Sequence, residues 1–109
     1  LAKKLARREK HKNDEKKPWE LLLYVAGDNI NGKNALAVIK KICLAHLFNN
    51  CHIRVIDLRK TPEMALKEHI VALPMLVRTY PEPRKILVGD LTDTEKVLRS
   101  LEIERSNIH

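Results

Sequence analysis

The run Leu21-Leu22-Leu23-Tyr24-Val25-Ala26, closed by Gly27, constrains this chain more than any other feature. Glu20 to Ala26 is mostly apolar, with apolar side chains at every position from Leu21 on, so it reads as a strand buried on both sides. The run is too short to cross a bilayer, and no membrane span is expected. After the loop Gly27-Asp28-Asn29-Ile30-Asn31-Gly32, apolar side chains recur at three-and-four spacing at Leu36, Ile39, Cys43 and Leu47, beside Ala35, Val38 and Ile42. That spacing predicts an amphipathic helix over about Lys33 to Phe48, ended by Asn49-Asn50, with Lys33, Lys40 and Lys41 on its wet side. His52 to Leu58 alternates polar and β-branched residues and reads as a second strand. The helix makes a crossover between the two strands, which should therefore run parallel.

Thr61-Pro62-Glu63 sets a capping hydroxyl before a proline at the first helical position, predicting a second helix to about Val71 with Glu63 and Lys67 four apart. Pro74 interrupts. Met75 to Tyr80 and Lys85 to Val88 then read as an antiparallel pair flanking Pro81-Glu82-Pro83. Thr92-Asp93-Thr94-Glu95 has a capping-box pattern, and Val97, Leu98 and Leu101 form the apolar face of a last helix ending near Leu101 or Ile103. The order is βαβαββα, an α/β domain without internal repeats.

Charge is distributed unevenly. Of the net +7 on 109 residues, residues 1–17 supply +5, from eight Lys and Arg against three Asp and Glu, and the remainder supplies only +2. Leu and Ala are the only apolar types in that stretch, and Pro18 marks its boundary. We expect residues 1–18 to be a basic N-terminal arm, helical when a partner surface holds it, and residues 19–109 to be the folded domain. The arm's charge suffices for salt-dependent affinity for nucleic acid or an anionic surface. With no aromatic residue to stack on bases, nucleic-acid binding is the alternative function and not the expected one. No apolar signal core follows the N-terminal charges, so a cytoplasmic location is expected, where Cys43 and Cys51 stay thiols.

Three motifs carry chemical suggestions. Gly27-Asp28-Asn29-Ile30-Asn31-Gly32-Lys33-Asn34 has phosphate-loop spacing, but Asn34 stands where a hydroxyl must hold Mg²⁺, and the segment reads as a turn feeding a helix. Cys43, His46, Cys51 and His52 have zinc-binding atom types at a spacing that matches no standard module, so no metal is expected. Asp90, Asp93 and Glu95 are accounted for by turn and cap chemistry, leaving no acid-base pair, no cofactor and no enzyme activity expected.

The βαβ unit followed by ββα, with a proline just before the third strand, resembles the thioredoxin-like fold, whose proline at that place is typically cis; Pro74 is the matching residue. The Cys-x-x-Cys that a redox enzyme of that fold needs is replaced here by Asn29-Ile30-Asn31-Gly32. The resemblance sharpens over Leu23-Tyr24-Val25-Ala26-Gly27, Val55-Ile56-Asp57-Leu58 with Pro62, Ala72-Leu73-Pro74, and Gly89-Asp90-Leu91-Thr92-Asp93 with Glu95-Lys96-Val97-Leu98. These segments are similar to the KaiB family of small clock proteins, and the likeness covers about Leu21 to Leu101.

The resemblance implies a non-enzymatic regulator that docks on KaiC, a ring-shaped ATPase of the RecA-like family, in clock or stress-type signalling that reaches a sensor histidine kinase pathway. It also implies two folds: the thioredoxin-like monomer, and a state with a repacked C-terminal half that forms a homodimer or homotetramer. Pro74, Pro81 and Pro83 are the candidate switch and cis-proline positions. The docking surface expected is the sheet edge and second-helix region, with Lys60, His69, Arg84 and Lys85 as interface residues. This chain has Ile30 for the family's usual loop proline, Asn34 for its loop arginine, His69 for a lysine and Ser100 for a glycine of the last helix.

Overall fold

A computed structural model describes residues 17–70 and 72–103. Residues 1–16 of the expected basic arm lie outside the described residues. The elements are β1 (Trp19–Val25), α1 (Ile30–His46), β2 (Cys51–Asp57), α2 (Glu63–Lys67), β3 (Met75–Tyr80), β4 (Lys85–Val88) and α3 (Thr94–Ser100). This is the expected βαβαββα order. Among the described residues no helix is long and apolar enough to cross a membrane.

The four strands form one sheet in the order β2-β1-β3-β4. β1 pairs parallel with β2, Leu21 opposite Ile53 and Val25 opposite Asp57, and antiparallel with β3, Leu22 opposite Val77. β3 and β4 are antiparallel, with Val77 opposite Ile86. β1 is thus an interior strand. Its Leu21, Leu23 and Val25 pack with Leu76 and Leu87 under Ala35, Ile39 and Ile42 of α1 and Val97 and Leu98 of α3. Tyr24 joins Met75, Val77 and Leu58 on the other face, beneath Met64, Ala65 and Ile70. Burial on both faces is the physical reason that β1 is apolar at nearly every position.

Helix boundaries differ from expectation where side chains settle them. α1 begins three residues early because Asn29, in extended conformation, accepts at Oδ1 from the Asn31 N–H at 2.7 Å. Gly32 therefore lies in the first turn, where it lets the helix approach Val25. α1 ends at His46, before Phe48, because Phe48 and Asn49 turn left-handed (φ 55° and 57°) and Asn49 N–H returns to the Cys43 carbonyl at 2.9 Å.

α2 stops at Lys67, four residues short of expectation. His69 adopts φ 56°, its N–H bonds the Leu66 carbonyl, and the Ile70 N–H bonds the Ala65 carbonyl, a Schellman closure that folds Ile70 back onto the sheet. The Thr61 hydroxyl does not cap α2; it donates to the Asp57 carbonyl at 3.3 Å. At α3 the cap is Asp93, which accepts from the Lys96 N–H at 3.2 Å, while the Thr92 hydroxyl bonds the Asp90 carboxylate. The thiols expected at Cys43 and Cys51 are instead joined as a disulfide. The left-handed turn after α1 brings their Cα atoms to 6.2 Å, within bridging range, which their sequence spacing alone does not reveal. Leu73-Pro74, Tyr80-Pro81 and Glu82-Pro83 are cis peptide bonds.

Candidate functional site

The face of the sheet carrying α2 is only partly covered. The alternation of β4 places Ile86 and Val88 on that face, opposite Val77 and Met75, and both are exposed. Five residues of α2 are too few to roof four strands, and none of its own residues is fully buried. Leu66, on its outer side, is 84% exposed. An apolar surface is therefore presented around a short helix.

Basic side chains border it. Lys60 sits in the turn from β2 into α2, where its N–H bonds the Asp57 carbonyl at 3.0 Å, and its side chain is exposed. Asp57 organises this turn: its Oδ1 accepts from the Arg59 N–H at 2.9 Å and the Gly27 N–H at 2.8 Å, fastening the ends of β1 and β2 together. The Arg59 N–H above all, with that of Gly27, holds the Asp57 carboxyl below the ordinary carboxylate range. His69 is presented outward by the left-handed closure of α2. Next to it Glu68 pairs with Arg84 at 3.3 Å, joining α2 to the β3–β4 turn. Burial chiefly raises the Tyr24 phenol above its ordinary range; the Glu68 carboxylate adds to this, and Arg84 and Arg54 oppose it.

Of the four expected interface residues, Arg84 and His69 are thus brought to the end of α2 and Lys60 to its start. Lys85 lies elsewhere. It is opposite Arg78, and its ammonium pairs with Glu102 at 3.3 Å beyond the end of α3, on the other side of the sheet. Sequence reasoning overlooked Arg54, Glu68 and the apolar trio Leu66, Ile86 and Val88. The signal available was strand parity: Arg54 lies opposite Leu22, and Ile86 and Val88 share one face of β4.

The other motifs assemble no site. The Gly27–Asn34 segment is a short connection whose helix is capped by Asn29 and whose Lys33 pairs with Asp28 at 3.0 Å, so neither group is directed at a phosphate. Beside it, Val25, Ala26, Asn29, Asn31, Gly32, Leu73 and Pro74 line a cleft of about 180 Å³. Among the described residues no cluster of three or more His, Cys, Asp or Glu side chains has the arrangement of a metal site.

Comparison with known proteins matches residues 22–103 to the KaiB domain. The circadian clock oscillator protein KaiB of Microcystis aeruginosa is 39% identical over 88 residues, 81% of this chain and 85% of that protein. The solved N-terminal domain of SasA from Synechococcus elongatus superposes with a TM-score of 0.66 at 26% identity, covering 79% of this chain and 85% of that domain. The thioredoxin Deadhead of Drosophila melanogaster, 17% identical, superposes with a TM-score of 0.61 over 88% of this chain and 91% of its own, and so shares the fold.

Proposed function

The chain belongs to the KaiB family of circadian clock proteins, and from that premise we propose that it is a non-enzymatic regulator docking on a KaiC-like ATPase ring of the RecA family through its α2 face. The observation that carries this reading is the partly roofed sheet face, where exposed Leu66, Ile86 and Val88 are bordered by Lys60, Arg54, His69 and Arg84. Apolar groups that gain by leaving water, bordered mainly by basic side chains that favour an acidic partner, are what a protein-docking surface requires. The docking unit is residues 19–109, with 1–18 as a basic arm, and the setting is the cytoplasm. The likeness to the SasA domain supports the thioredoxin-like fold of this state, and the connection to a sensor histidine kinase pathway is proposed from the family resemblance.

The proposal includes a second state, a homodimer or homotetramer with its C-terminal half repacked. Such a state must lie within a few kcal/mol of the thioredoxin-like one. The small anchorage of α2, with no fully buried residue, is consistent with so narrow a gap. Size-exclusion chromatography with light scattering tests both parts, on the protein alone and mixed over hours with its host's KaiC-like ATPase and ATP. A resting oligomer, and a complex that accumulates slowly at the expense of that oligomer, is the expected result. Absence of a complex at every time would overturn the docking, and an unchanging monomer that binds at once would overturn the switch.

A further inference from the structure

We propose that Cys43 and Cys51 form a reversible dithiol–disulfide site that fastens and releases the corner between α1 and β2, with a dithiol/disulfide couple as its reactant. The bridge is reached through Cys51: Cys51 is half-buried, Cys43 is buried, and both line an open cavity of about 410 Å³ with Lys40, Leu44, Asn49 and Ile53. The cavity, with Lys40 on its wall, admits a small thiol.

The bridge clamps a corner that has reason to open. The Cys43 carbonyl accepts both the Leu47 and Asn49 N–H groups, and between them Phe48 is held at φ 55° and is 85% exposed. A bulky aromatic residue rarely occupies that backbone region and buries little surface here in return, so the conformation persists because its surroundings impose it. The corner can loosen without loss of the fold. β2 is held to β1 by strand pairing from Trp19–Cys51 to Val25–Asp57 and by the Trp19 N–H on the Asn50 carbonyl, none of which runs through the bridge.

Reduction proceeds by ordinary exchange. A thiolate of the dithiol attacks Cys51 Sγ, and the Sγ–Sγ electron pair passes to Cys43 Sγ, which takes up a proton. The second thiol of the dithiol loses its proton and attacks the reagent sulfur of the mixed disulfide, and Cys51 leaves as thiolate and is protonated. The chain gains two electrons, the dithiol becomes a disulfide, and oxidation is the reverse.

The test uses the native full chain, oxidised with glutathione disulfide or reduced with dithiothreitol, followed by maleimide labelling and hydrogen exchange read by mass spectrometry. We expect no label on the oxidised protein, two labels on the reduced protein, and full recovery on cycling. Amide exchange at Leu47–Asn50 should accelerate by roughly tenfold or more on reduction while β1 and β3 are unchanged. The thermal midpoint should fall by about 10 °C. The double variant Cys43→Ala/Cys51→Ser should match the reduced protein; should it not fold, the two states of the unaltered chain still decide. Two labels after oxidation, a bridge that dithiothreitol opens only in denaturant, or identical corner exchange in both states would each overturn the proposal. None of these readouts involves a partner, so they stand apart from the docking test.

Discussion

Arg78 brings a positive charge into the interior of a small domain at 3% exposure, and its surroundings show how that charge is tolerated. Its guanidinium donates from Nη1 to the Leu101 carbonyl at the end of α3 and from Nη2 to the Pro83 carbonyl at 2.8 Å. It also lies 5.1 Å from the centre of the Trp19 ring. No carboxylate is among these partners; the negative end of α3 and the ring face supply the compensation. One side chain thereby joins β1, the β3–β4 turn and α3. Arg78→Ala should cost about 3 kcal/mol in urea unfolding, and Arg78→Lys less, since an ammonium reaches one carbonyl but not both. Asp57 gives the pH dependence at this scale. Its folded-state pKa is depressed, so its contribution is fully present above the unfolded value of about 4 and is lost as pH falls through the lower folded value. The stability gap between the natural protein and Asp57→Asn should therefore be constant near neutrality and shrink below about pH 4 in denaturation curves.

Elements meet at positions where one residue sets the spacing. Gly32 is helical, and on propensity alone Gly32→Ala should stabilise α1 by about 1 kcal/mol. An added Cβ would lie 2.9 Å from Val25 Cγ1 and 3.2 Å from Val25 Cβ, both in the packed core, so α1 would have to lift from β1. We expect a net loss of about 1–2 kcal/mol, read by urea unfolding. His69 behaves in the opposite way. At φ 56° it occupies the position where glycine is preferred, so His69→Gly should raise stability by about 0.5–1 kcal/mol while removing a side chain of the proposed docking face. A rise in thermal midpoint together with weaker ATPase binding would separate the two roles of this residue. Apolar periodicity had placed β3 and β4 correctly, to the residue, because each is short and bracketed by prolines or turn residues. The helices were placed less well, since their ends depend on which side chain wins a particular backbone N–H.

For the molecule as a whole, the arrangement of charge on two faces makes a discriminating prediction. Arg84 and Lys85 are adjacent in sequence, but one pairs with α2 and the other with Glu102 beyond α3. Lys60→Glu and Arg84→Glu should each weaken docking by roughly tenfold, whereas Lys85→Glu should change it by less than about threefold, measured by titration against the ATPase ring. Equal losses at all three would show that the partner wraps round the β4 edge.

The sequence by itself determined the βαβαββα order, the double-sided burial of β1 and the parallel pairing of β1 with β2, because hydrophobic period and crossover geometry are properties of local segments. It also carried the family likeness. Only the tertiary structure decided that Cys43 and Cys51 meet, that Arg78 is buried, and that Lys85 parts from Arg84. Each of these depends on where a turn sends the chain in space and on strand parity across a completed sheet. Neither quantity exists until residues distant in sequence have packed together.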